Sequence, residues 1–234
     1  MKKALGILGG MGPQATVDML QKVIDLTAAT ADSEHLRIYI DNHPQIPDRI
    51  AAILADGESP LAALQESLQK LEALGAEAIA MPCVTAHYFL PQLQDRAQVQ
   101  VLDMLEIIVT AAQKRFPAQK AGLLTSVATA NSQLVSKRLD QAGIAYITPQ
   151  AADQQELGRL ILQVKAKQVG AAVAPFQAIV AEMAERGADY FVLACTELPI
   201  IAAAYDFPYP ALDATTELAR AAVLACGYDL NPLS

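Results

Sequence analysis

Cys83 and Cys195 stand 112 residues apart and each closes the same pattern: glycine, alanine and an acidic residue at 75–77 and 187–189, an apolar run, then a cysteine eight residues after the glycine. The match continues upstream, where Leu64-Gln65, Leu68 and Leu71 stand opposite Phe176-Gln177, Val180 and Met183. A second correspondence sets Gly6-Ile7-Leu8 against Gly122-Leu123-Leu124 at an offset of 116 residues. A helix leading into a strand therefore recurs, with a period far longer than the roughly 20–50 residues of repeat arrays. Two similar domains are expected. Facing each other about an approximate two-fold axis, they would each contribute one thiol to a shared cleft.

Both cysteines fall at the carboxyl ends of strand-like runs, where ligands bind in open parallel sheets. Each is followed by residues able to start a helix, Thr85 after the first and Thr196-Glu197 after the second. Unpaired backbone N–H groups and the helix dipole would lower the thiol pKa there and supply thiolate near neutral pH. A single cysteine at such a place reads as a small buried apolar residue. Two at equivalent points, each with a threonine within two residues, read as chemistry. Cys226, in the apolar pattern of Leu218, Ala222, Leu224 and Ala225, reads as core.

Short apolar runs at 4–8, 36–40, 78–81, 100–102, 121–124, 144–147, 190–194 and 209–212 are mostly continuous rather than alternating, as parallel strands covered on both faces are. Segments 13–30, 59–74, 104–115, 130–142, 151–168, 174–186 and 215–226 carry apolar residues at helical spacing. The class is α/β: two similar domains, each a small parallel sheet flanked by helices, related by a pseudo-two-fold axis with the active site in the cleft between them. The polar stretch 92–100 and the proline-bearing 206–210 suggest boundaries that give a first domain of 1–98 with 210–234 and a second of 99–209.

Gly9-Gly10-Met11-Gly12-Pro13 follows the first strand and opens a helix with proline in its first turn. Such a turn lets backbone amides approach an anion closely. It is neither a dinucleotide fingerprint nor a Walker loop. Ser126 and Thr129 occupy the matching place in the second half, with hydroxyls where the first has glycine. A carboxylate ligand would need positive charge, for which Arg49, in Pro47-Asp48-Arg49, and Lys165 are the candidates. Solvated surface charge is the alternative for both.

With 234 residues, 53% of them hydrophobic and 18% charged, the chain fills a substantial core. A net charge of -8 without any Lys/Arg cluster argues against nucleic acid and anionic membranes. No apolar run approaches the roughly 20 residues of a membrane span, and the N-terminus lacks a secretory signal pattern. A cytoplasmic protein with reduced thiols is expected. No metal is expected either, because there is no Cys-x-x-Cys pair and His35, His43 and His87 are too scattered.

The segments GGMGPQAT at 9–16, IPDR at 46–49, MPCVTAH at 81–87, LLTSVAT at 123–129 and ACTELP at 194–199 together resemble the aspartate/glutamate racemase family, the cofactor-independent amino-acid racemases. The resemblance runs over nearly the whole chain, and the paired Cys-Thr motifs are its specific part. It implies racemisation of an acidic amino acid, aspartate first, without pyridoxal phosphate or any other cofactor, in a homodimer. It also implies a two-base mechanism, in which Cys83 and Cys195 serve opposite faces of the α-carbon with their sulfurs about 7 Å apart. By the same resemblance Thr85, Thr196 and Glu197 line the substrate, Met11 and Gly12 lie near its backbone, Arg49 and Lys165 hold its carboxylates, and Ser126 and Thr129 supply hydroxyls. His87 ends the first motif, in support of catalysis or in packing. Val84 stands where the family has asparagine and offers no side-chain hydrogen bond; Ala128 stands where glycine is usual.

Two other readings follow from the same residues. One is a related two-cysteine enzyme, a decarboxylase, a maleate-type isomerase or a hydantoin racemase. The other is a catalytically silent amino-acid-binding protein.

Overall fold

The computed structural model describes residues 2–232. In chain order its elements are β1 (Leu5–Gly9), α1 (Pro13–Leu26), β2 (Ile38–Asn42), α2 (Arg49–Leu54), α3 (Leu61–Ala73), β3 (Ala78–Ala80), α4 (Leu90–Gln94), β4 (Gln100–Val101), α5 (Met104–Arg115), β5 (Ala121–Thr125), α6 (Val127–Asn131), α7 (Ser136–Gln141), β6 (Tyr146–Ile147), α8 (Ala151–Lys165), α9 (Val169–Glu185), β7 (Tyr190–Ala194), α10 (Leu198–Ala203), β8 (Ala211–Asp213) and α11 (Ala214–Ala225). Two four-stranded parallel sheets result, in the orders β2-β1-β3-β4 and β6-β5-β7-β8. The central strands β1, β3, β5 and β7 are buried along their whole length, as their unbroken apolar runs require.

The chain divides into one compact unit of residues to Met104 and from Thr215, and a second of Leu105–Ala214. These crossings replace the expected 98/99 and 209/210. The polar edge strand β4 pairs with β3 through Ala78–Gln100 and Ile79–Val101, which ties it to the first sheet, and β8 pairs with β7, which ties 211–213 to the second. The core of the first unit gathers Leu8, Leu64, Leu68, Leu71, Ile79 and Met81. The core of the second gathers Leu124, Leu157, Leu160, Phe176, Val180 and Phe191. Among the described residues no helix is long and apolar enough to cross a membrane.

The internal repeat is reproduced in the register of both sheets. Leu5 pairs with Ala78 and Gly6 with Ile79; their counterparts Ala121 and Gly122 pair with Tyr190 and Phe191. The two glycines mark the same close approach. A Cβ on Gly6 would lie 2.6 Å from Ile79 Cδ1, and one on Gly122 would lie 2.6 Å from Phe191 Cδ1.

The short helices α2, α4 and α10 lie outside the expected segments, and two of the expected helices are changed. The pattern at 130–142 is broken into α6 and α7, with Gln133 between them at a φ of 54°. The expected 174–186 helix extends back to Val169 through Pro175. The carbonyl that loses its hydrogen bond there belongs to solvent-exposed Ala171, where water replaces the missing donor cheaply.

Candidate active site

In the first unit the residues of interest gather at the carboxyl ends of β1, β2 and β3. The backbone turns sharply after β3: Cys83 N–H donates to Met81 O at 2.8 Å, and Ala86 N–H donates back to Cys83 O at 3.2 Å. A 3-10 helix, Thr85–Phe89, follows with Val84 at its cap. Cys83 is 7% exposed and packs in the same cluster as Met11, Ile46, Ala86 and Phe89. Val84 is buried, so an apolar side chain fills the place next to the thiol. His87, 2% exposed, has Nδ1 2.9 Å from Cys83 O.

The loop after β1 is organised by a residue that sequence reasoning passed over. Thr16 Oγ1 accepts from Gly10 N–H at 2.8 Å and donates to Gly12 O at 3.3 Å, which locks the turn carrying Met11 and Gly12. Its position one turn into α1, after a glycine cap with proline at the helix start, was the available signal. Arg49 opens α2, behind an Asp48 cap that accepts from Ala51 N–H at 2.8 Å. Its Nη1 donates to Ile46 O and Pro47 O at 3.2 and 3.1 Å. It has no carboxylate partner among the described residues, and its buried Nε makes no hydrogen bond. The guanidinium is thus held by its backbone with donor capacity to spare.

In the second unit the corresponding loops follow β5 and β7. Ser126 caps α6; its Oγ accepts from Thr129 N–H at 3.3 Å and donates to Thr129 Oγ1 at 3.0 Å, and both side chains are buried. Cys195 follows β7 directly and is partly buried. Its Sγ donates to Glu197 Oε2 at 3.1 Å, and Thr196 Oγ1 donates to the same oxygen at 3.2 Å. Lys165 Nζ lies 3.8 Å from Glu197 Oε1.

This arrangement corrects the expectation of a lowered thiol pKa at Cys195. Burial first, then the Glu197 carboxylate, push the thiol well above its ordinary value, against a smaller opposing pull from Lys165. The sequence showed a helix start beside the sulfur but not a carboxylate turned back onto it. Cys195 rests as a thiol. Lys165, expected to face a ligand carboxylate, carries an internal carboxylate beside it. Cys226 is fully buried in α11's continuation, and burial raises its thiol to about 11. Among the described residues no three His, Cys, Asp or Glu side chains converge as metal ligands.

Comparison with known proteins agrees with this architecture. The Asp/Glu/Hydantoin racemase family model matches residues 8–222. The broad specificity amino-acid racemase RacX of Bacillus subtilis (strain 168) is 30% identical over 226 residues, 94% of this chain and 96% of that protein. The structure of Picrophilus torridus aspartate racemase superposes with a TM-score of 0.90 at 30% identity, covering 98% of this chain and 96% of that one. The glutamate racemase of Francisella tularensis subsp. tularensis SCHU S4, in complex with D-glutamate, shares the fold at a TM-score of 0.70 and 14% identity over 96% of this chain and 81% of that one. Two like units, two like thiol-bearing loops and a family match across nearly the full chain converge: the protein belongs to the Asp/Glu/Hydantoin racemase family and is an enzyme of the amino-acid racemase type.

Proposed function

We propose that the protein racemises an acidic amino acid, aspartate first, without pyridoxal phosphate, with Cys83 and Cys195 acting on opposite faces of the α-carbon. One thiolate removes the α-proton as the other thiol delivers a proton to the far side; the C–H bond broken on one face is replaced by one formed on the other. The observation that carries this reading is the equivalence of the two thiols. Each follows the strand that pairs in the same register with the first strand of its sheet, β3 with β1 and β7 with β5. Arg49 is the group of this chain best prepared to grip a carboxylate, and the Thr85, Thr196, Ser126 and Thr129 hydroxyls, with Met11 and Gly12, complete the substrate contacts. The active form in this reading is a cytoplasmic homodimer.

A broader substrate range is a second reading, favoured by Val84. A buried valine beside Cys83 gives a ligand shape but no hydrogen bond, so it does little to select an acidic side chain. The relative named as a broad specificity racemase is consistent with that possibility.

The test is incubation of pure enantiomers of acidic and neutral amino acids in deuterated water, with chiral chromatography and mass detection. Inversion coupled to uptake of one deuteron at the α-carbon is expected, for aspartate above neutral amino acids. Cys83→Ala and Cys195→Ala should each lose inversion by a factor on the order of 10³ or more. Absence of exchange from every amino acid, or full inversion in either variant, overturns the reading.

A further inference from the structure

The two thiols are equivalent in the backbone but not in their neighbours. Two residues after Cys83 the chain carries Thr85; two residues after Cys195 it carries Glu197. Glu197 is 7% exposed, and its Oε2 receives both the Cys195 thiol and the Thr196 hydroxyl. Its other oxygen faces Lys165 at 3.8 Å, and that lysine is 41% exposed. α10, which begins just after Glu197, packs against α8, α9 and β7. Of these, α8 contributes Lys165, the one charged group that reaches the carboxylate among the described residues; β7 carries no charged residue, and Glu182 of α9 is engaged with Gln150 and Arg186. A chain of groups therefore runs from a partly buried sulfur through one carboxylate to a partly solvated ammonium.

We propose that Glu197 is the proton relay of Cys195: it holds the sulfur as a thiol in the resting protein and loads and unloads its proton during turnover, leaving Cys83 to start as the base. The proposal rests on the two-thiol reading above and makes the pair unequal. When Cys195 delivers its proton to the carbanion, the S–H bond breaks as the C–H bond forms, and a thiolate is left about 3 Å from a carboxylate. Repulsion between the two raises the proton affinity of both. Glu197 then takes a proton from solvent, forming O–H at Oε2, and that bond breaks as S–H re-forms, while the S–H that Cys83 formed on abstraction breaks and releases its proton to solvent. For the opposite enantiomer the steps run backwards: the Cys83 thiolate takes a proton from solvent, and the Cys195 thiol proton passes to Oε2. The new Cys195 thiolate removes the α-proton as the Cys83 S–H breaks to form the C–H bond on the other face, and the carboxylic acid returns its proton to solvent. Lys165 stays beside the carboxylate, 3.8 Å from its other oxygen. Glu197 acts through the sulfur and is a positioning residue, in place of the substrate contact that its motif suggests.

The experiment is site-resolved alkylation of Cys195 by iodoacetamide as a function of pH, read on its own peptide by mass spectrometry in the wild type, Glu197→Gln and Glu197→Asp, with kcat and KM for both enantiomers over the same pH range. In the wild type half-maximal reactivity of Cys195 should lie above that of an ordinary thiol, near pH 8.5. Glu197→Gln keeps the shape and removes the charge; it should move that midpoint down by about one pH unit or more and lower kcat on the order of 10²-fold with little change in KM. Glu197→Asp should fall between. An unmoved midpoint in Glu197→Gln, or a loss confined to KM, overturns the proposal. If that variant does not fold, a wild-type Cys195 midpoint at or below about 8.5 overturns it by itself. Alkylation is read without substrate, so a wild type that shows no α-proton exchange refutes the racemase reading and not the relay.

Discussion

His87 Nδ1 lies 2.9 Å from the carbonyl oxygen of Cys83, four residues back along the chain. A carbonyl only accepts, so the ring carries its proton on Nδ1 in this bond. The imidazole thereby fixes the backbone that aims the Cys83 thiol. His87→Ala is expected to lower stability by about 0.5–1.5 kcal/mol, the net worth of one hydrogen bond, since Ala86 N–H still donates to the same carbonyl. It should reduce kcat less than Cys83→Ala does. Urea unfolding and steady-state kinetics on both variants check this; a His87→Ala variant as inactive as Cys83→Ala, yet as stable as wild type, would place the ring in proton transfer.

Arg49 is gripped by Ile46 O and Pro47 O through one nitrogen. If Arg49 grips the second carboxylate as proposed, Arg49→Ala should raise KM for aspartate on the order of 10²-fold while changing KM for neutral amino acids little. Arg49→Lys should not restore binding, since an ammonium cannot satisfy those carbonyls and grip a carboxylate in two places at once. Equal effects on acidic and neutral substrates would remove Arg49 from side-chain recognition.

Cys226 serves as an internal reference for thiol titration. It is fully buried, and its pKa is raised from 9.0 to about 11. Below the unfolded value both states hold the proton and no slope arises. Between the two values the unfolded chain has released a proton that the folded one keeps, so stability falls as pH rises, by at most about 1.4 kcal/mol per pH unit. Cys226→Ala removes this slope and should leave racemisation unchanged. The stability gap between wild type and variant should therefore be widest below pH 9 and narrow above it; a constant gap would show that this thiol does not titrate as its burial demands.

Gly6 and Gly122 test the duplication directly. Each added methyl would meet a neighbour at 2.6 Å, the end of the Ile79 side chain in one case and the Phe191 ring in the other. Both alanine variants should lose about 1–3 kcal/mol. The loss should be greater at Gly122, because an isoleucine terminus yields by rotation and a packed ring does not. Thermal unfolding of the two single variants measures the difference.

All eight strands were legible in the sequence, because doubly covered parallel strands leave continuous apolar runs. The edges were less so: β4 and β8 have only two and three residues, and at β4 the polar Gln100 closed an expected boundary and opened an expected strand at once. Helices α2, α4 and α10, of five or six residues, are too short to display a period; the first two went unseen and only the start of α10 was marked, by Thr196-Glu197. The cysteines were found because repetition singles out positions. Thr16 and the inward turn of Glu197 were not, since both depend on which way a side chain folds back on its own loop, and spacing carries no record of that.

The shared register of Leu5–Ala78 and Ala121–Tyr190 separates what is inherited from what is free to drift. The frame delivers sulfur to the same address twice, while the words around each address have diverged: valine and threonine beside one, threonine and glutamate beside the other. Substrate taste and acid strength can thus evolve in one loop at a time, without redrawing the scaffold that carries either.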